Sequence, residues 1–151
     1  MGESLMAALT VDIHGIPVAQ GSMVSNGPGR GLRHSNDTEL KPWRYLVSQT
    51  IAQARPKDWD PSKPLSVTAT FRFPRPQSHF GTGRNANTLK PNAPDAHFVK
   101  PDLDKAQRSI GDAIEAAGLV RGDQQITSWN VQKRYCSPVE TPGVLLTLIS
   151  L

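Results

Sequence analysis

The chain has a single cysteine, Cys136, which excludes an internal disulfide framework, a CxxC redox pair and any cysteine-rich zinc ribbon. A reducing compartment suits such a chain. Long hydrophobic runs are missing as well: the longest strongly apolar stretch, residues 144–151, is too short to span a bilayer and already contains Thr147 and Ser150. The amino terminus carries Glu3 and no basic cluster ahead of an apolar run, which argues against a secretory signal, and Met6 stands where a myristoylation signal after Gly2 needs Ser or Thr. Acids are in the minority. Thirteen Asp and Glu against seventeen Lys and Arg give a formal charge of +4, which rules out an acidic scaffold or an acidic tail. No internal repeat is present, and the segment Gly27-Pro28-Gly29-Arg30-Gly31 lacks both the Walker lysine and the dinucleotide fingerprint, so no nucleotide cofactor is expected.

With 37% apolar residues in 151, the chain can bury one core, and residues 1–151 read as one domain. Leu9, Val11 and Ile13 alternate with polar residues as a half-buried strand does, closed by Gly15 and Pro17. Residues 22–39 show no periodicity and read as a mobile basic loop holding Arg30, Arg33 and His34. Pro42 suits the first turn of a helix, and Trp43, Leu46, Val47, Thr50, Ile51 and Ala54 follow at helical spacing. Leu65, Val67, Ala69, Phe71 and Phe73 alternate strictly with polar residues and predict the clearest strand. Residues 74–101 hold five prolines, and a structureless loop of more than about 15 residues in a compact domain usually binds something. Leu103, Ala106, Ile110, Ala113, Ile114 and Ala117 predict an amphipathic helix ended by Gly118, and strands are expected over 126–135 and 144–151. The class is therefore α+β: a sheet of about four strands, two main helices and two long basic loops.

The chemistry concentrates at Lys100-Pro101-Asp102-Leu103-Asp104-Lys105. On a helix, residues i and i+2 point about 200° apart and cannot share a ligand; on an extended segment they lie on one side. Pro101 favours extended backbone at Lys100, and Asp104 with Gln107 resembles a capping box, so Asp102 and Asp104 are expected to project together just before the helix. Two carboxylates on one side begin a hard-oxygen site for Mg²⁺ or Mn²⁺. Capping plus solvation explains the same pair without a metal. Asp112 is expected to pair with Arg108 on the helix surface. Asp123 follows Gly118 by five residues, a reach of about 17 Å, against about 20 Å for the helix, which nearly returns it to the helix start.

In order and spacing, Lys100-Pro101-Asp102-Leu103-Asp104, Asp112-Ala113-Ile114, Gly122-Asp123-Gln124-Gln125-Ile126 and Lys133-Arg134-Tyr135 resemble the RusA-type Holliday junction resolvases of bacteria and phages. The resemblance implies a mixed sheet, a homodimer and action on branched DNA, four-way junctions above all, in the bacterial cytoplasm. It also implies that Asp102, Asp104 and Asp123 bind Mg²⁺, with Mn²⁺ able to substitute. Hydrolysis would leave 5′-phosphate and 3′-hydroxyl ends, with Arg108 or Lys105 steadying the developing charge. The family often has Asn where this chain has Lys105, Lys where it has Arg108, and a second aspartate where it has Gly122.

Fourteen of the seventeen Lys and Arg fall between Arg30 and Arg108, which suits a phosphate-rich partner. Arg30, Arg33, Arg75, Arg84, Lys90, Lys100 and Lys133 are the expected DNA-backbone contacts. His97 is expected to be exposed, with a proton-shuttle or phosphate role as the alternative. Phe80 could wedge between bases, while Trp43, Trp129 and Tyr135 are expected to serve packing. Two other readings stay open: a non-cleaving, structure-selective DNA-binding module, for which Gly122 speaks, and a metal-dependent nuclease of other branched DNA. A metal-free interaction domain would need Asp102 and Asp104 to be simple caps.

Overall fold

The computed structural model describes residues 7–151, so the readings that fall on Gly2, Glu3 and Met6 lie outside the described residues. Two segments, 8–14 and 65–73, alternate apolar and polar residues as long strands do, and the largely apolar run 143–150 and the more polar 126–135 join them. β1 (Ala8–His14), β4 (Leu65–Phe73), β5 (Ile126–Tyr135) and β6 (Gly143–Ser150) form one mixed sheet in the order β1-β6-β4-β5. β6 pairs antiparallel with both β1 and β4, whereas β4 and β5 run parallel. That parallel pair needs a crossover, which the long loop and the second main helix supply.

Two helices cover one face of the sheet. α1 (Asp37–Ala54) packs over β1 and α2 (Leu103–Ala116) over β5, and the two pack side by side. Val67, Ala69, Phe71, Leu146 and Leu148 meet Val47, Ile51, Ile110 and Ile114 in one buried core. Trp43 and Tyr135 are buried there as expected. α2 ends where Gly118 takes φ +79, a left-handed conformation suited to glycine, and its N–H returns to the Glu115 carbonyl. Gly143 is needed for a different reason: a Cβ there would lie 2.0 Å from the Ile13 carbonyl oxygen on the adjacent strand.

Three expectations change. Helix α1 begins at Asp37, not at Pro42, because Asn36 offers its carbonyl to Glu39 and Leu40 N–H groups and Asp37 and Glu39 favour the positive end of the helix dipole. Pro42 therefore lies inside the helix and forgoes one hydrogen bond. Residues 22–39 are not a mobile loop: β2 (Met23–Ser25) and β3 (Leu32–His34) pair antiparallel, and Gly27, Gly29 and Gly31 make the turn at positive φ. Residues 74–101 are built of short turns at Gln77–His79 and Gly83–Asn85 with a Phe80–Leu89 bridge, and Ala96 bridges Arg134 at the sheet edge. Among the described residues, no helix is long and apolar enough to cross a membrane.

Candidate functional site

At the start of α2 it is Asp102, with φ −68 and ψ 142, that occupies the N-cap position, and Asp104 already lies in the first turn. The expected Asp104–Gln107 capping box does not form. Leu103 packs against the core, and drawing it into the helix moves the start back to Asp102, whose carbonyl accepts from Ala106 N–H at 3.1 Å. The two aspartates thus straddle the helix start instead of sharing one extended edge. Asp102 makes no side-chain capping bond. Both carboxylates are more than half exposed, and each has one cation at 3.8 Å: Lys105 beside Asp102 and Arg108 beside Asp104.

The strap leading into Asp102 is held from the sheet. Lys133, on the helix-covered face of β5, donates from Nζ to the carbonyls of Val99 at 2.6 Å and Pro101 at 2.7 Å. Two of the Lys133 donors are thus engaged by backbone, which sets this residue apart from the other expected DNA contacts. His97, at the base of the strap, is 6% exposed, stacked on Phe73 with centroids 4.2 Å apart and edge-on to Tyr135. Burial, and then the Lys133 charge, lower its pKa. This corrects the expectation of an exposed histidine.

Asp123 opens a 3-10 turn, Asp123–Gln125, that one glutamine organises. Gln125 Oε1 accepts from the N–H groups of Arg121 at 2.9 Å and Gly122 at 3.2 Å, while its Nε2 donates to the carbonyls of Pro61 at 2.7 Å and Lys63 at 3.2 Å. Asp123, Arg108 and Asp112 line one cleft of about 290 Å³ between α2 and β5. Arg108 therefore both pairs with Asp104 and faces the cleft of Asp123. Asp112 does not pair with Arg108; it accepts from Gln20 and from Arg44, the latter at 3.3 Å. Among the described residues, no three His, Cys, Asp or Glu side chains are gathered tightly enough to hold a metal ion. In donor chemistry Asp102, Asp104 and Asp123 fit a hard divalent cation, since all three offer carboxylate oxygen on exposed positions.

The cations separate into free and committed groups. Arg30 and Arg33 are exposed at the β2–β3 hairpin, Arg84 and Lys90 on the long loop, and Lys100 on the strap. Lys90 and Phe80 line one surface groove of about 460 Å³. Arg75 is different: its side chain is 3% exposed and donates to the carbonyls of Cys136 at 2.7 Å and Pro94 at 2.6 Å and to Asp95 at 3.2 Å. It is a strut for the loop, which corrects its expected role as a phosphate contact. Residues to which sequence reasoning gave no role at the site are Gln125, Gln20 and Arg44; Gln125 was visible in the motif, but two of its four backbone partners, Pro61 and Lys63, lie more than sixty residues away. A second cavity, about 530 Å³ on the uncovered sheet face, is lined by charges that pair among themselves, Arg72 with Asp12 at 2.8 Å and Arg134 with Glu140 at 2.6 Å.

The family model of endodeoxyribonuclease RusA matches residues 16–147. Among curated proteins none matches the chain.

Proposed function

Because the chain belongs to the RusA endodeoxyribonuclease family, we propose that it resolves four-way DNA junctions by hydrolysing phosphodiesters with the aid of a divalent metal. The observation that supports this best is Arg108, which pairs with Asp104 and lines the same cleft as Asp123. It links the α2 start to the 3-10 turn, although the two lie about twenty residues apart in sequence.

In this reading Asp102, Asp104 and Asp123 would hold the ion, Mg²⁺ or Mn²⁺. When bound, it supplies Lewis acidity toward a water and toward the attacked phosphate. The protein's own groups do the rest. Lys105 and Arg108, each 3.8 Å from a carboxylate, moderate the repulsion among the acids and between them and the phosphate. Arg108 is the residue placed to steady negative charge developing on the phosphate. Lys133 and His97 position the strap that carries Asp102. Arg30, Arg33, Arg84, Lys90 and Lys100 bind DNA backbone, which sets orientation without reading sequence. The substrate's two-fold symmetry suits a homodimer presenting two equivalent sites to opposed strands, each built on one 151-residue endonuclease domain.

The test is a nicking assay on synthetic four-way junctions in Mg²⁺ or Mn²⁺, with EDTA as control and sedimentation in parallel. Paired symmetric nicks with 5′-phosphate ends and a dimeric mass are expected. Tight junction binding without nicks in either metal would favour the non-cleaving module, a reading supported by Gly122 where the family usually has an acid. Preferential cutting of flaps or forks would favour another branched substrate.

A further inference from the structure

We infer that the cleft beside Asp123 receives one unstacked nucleobase of the bound strand, adjacent to the phosphate being cut. This rests on the nuclease reading above and adds to it a base-reading subsite. The cleft has an aromatic floor. Trp129 and Ile126, both on the helix-covered face of β5, line it and are only partly buried, although their partners on β4, Val67 and Leu65, are fully in the core. Across from the indole, α2 carries Gly111 in its interior. Glycine is a poorer helix former there than alanine would be. Packing does not demand it, because an added Cβ would meet the Trp129 ring at 3.6 Å, an ordinary contact. What the glycine does is keep the α2 wall of the cleft free of a side chain beside the indole.

The walls are hydrogen-bonding and almost neutral. Gln20 and Gln107 bring two amides, the side-chain type that pairs two-pronged with base edges. Gln20 gives its nitrogen to Asp112, which leaves its oxygen as an acceptor, and Arg44 balances the Asp112 charge. The remaining charges, Arg108 and Asp123, oppose each other in sign. A flat, neutral ring bearing donors and acceptors matches this lining better than an anion or an aliphatic chain does. A volume of about 290 Å³ is at the small end for ligand pockets, enough for a single base. Stacking on Trp129 would offset the cost of unstacking the base from its neighbours, as aromatic side chains do in other single-strand and flipped-base sites.

Junctions in which one nucleotide at a time around the cut point is made abasic give the test, with affinity measured in EDTA so that no cleavage is needed. The parent should show one position at which the abasic change weakens binding by about 5- to 100-fold, the range expected for loss of one base–aromatic stack. In Trp129→Ala that penalty should shrink to within about 2-fold. Gly111→Leu, which fills the cleft from α2 with a good helix former and leaves the tryptophan in place, should remove it too, so a misfolded tryptophan variant cannot decide the outcome. Absence of any position-specific penalty in the parent, or its persistence in both variants, overturns the base subsite. A parent that nicks junctions but shows no such position loses only the subsite. One that shows the position but never nicks loses only the nuclease reading.

Discussion

Arg134 forks onto Glu140, Nη1 to Oε1 at 2.6 Å and Nη2 to Oε2 at 2.8 Å, and so ties the end of β5 to the turn before β6. The Ser137 N–H adds a third bond to Oε1 at 2.7 Å. The Arg134 bonds first, and the Ser137 N–H second, hold the Glu140 carboxyl down to about 2 from its ordinary 4.5. A depressed folded-state pKa means that the unfolded chain binds the proton more readily, so the stabilisation is complete above pH 4.5 and is lost as pH falls from there toward 2. Both side chains are about one-third exposed, which cuts the effect to about 1 kcal/mol. Urea unfolding of Glu140→Gln should show a deficit of that size at neutral pH that vanishes near pH 2. A deficit independent of pH would remove the ion pair as its cause.

Arg75 and the pair Arg84 and Lys90 should respond oppositely to truncation, though all three sit on one loop. Arg84→Ala and Lys90→Ala should each lower the slope of log K against log salt for junction binding by about 0.9 and leave unfolding unchanged within about 0.5 kcal/mol. Arg75→Ala strips donors from the Cys136 and Pro94 carbonyls and should cost about 2 kcal/mol of stability with little change in slope. A reduced salt slope in a stable Arg75→Ala protein would return that arginine to the DNA surface.

Lys133 poses the same question at the site. Lys133→Met keeps the aliphatic stem and deletes the bonds to the Val99 and Pro101 carbonyls, so stability should fall by about 1–3 kcal/mol. Nicking should drop more than junction affinity, because the strap carrying Asp102 is released, and Lys133→Arg should recover part of both. If the lysine instead meets phosphate, stability will hold and the salt slope will fall.

The carboxylates can be tested apart from the fold. At the N-cap, Asp102→Asn should be nearly neutral in stability, since Asn caps as well as Asp. Asp104→Asn should lose about 0.3–1 kcal/mol of favourable helix-dipole interaction in the first turn. Both variants, and Asp123→Asn, should bind junctions in EDTA at least as tightly as the parent and fail to nick them in Mg²⁺ or Mn²⁺. Near-normal nicking by Asp104→Asn would leave that residue a helix-terminus charge and nothing more.

Local periodicity by itself determined β4, whose residues 65–73 alternate without a break, and α2, whose apolar stripe runs to a glycine at its end. Both patterns repeat over enough residues that one conformation buries them far better than any other. The motif spacing around Asp102, Asp104 and Asp123 was legible for the same reason: it lies along one helix and one short loop. β2 and β3 were not, because three residues each carry too little pattern, and their pairing depends on a glycine turn between them. Nor could any local signal show that Arg75 folds inward, that Lys133 grips the strap or that Gln125 braces the Asp123 turn. Those partners are brought together by the sheet order, in which β6, last in the chain, inserts between β1 and β4 and leaves β5 parallel at the edge beside α2. Arg75, Lys133 and Gln125 reach groups 19 to 64 residues away in sequence, and only the closed tertiary structure decides which cations are struts and which remain free to meet DNA.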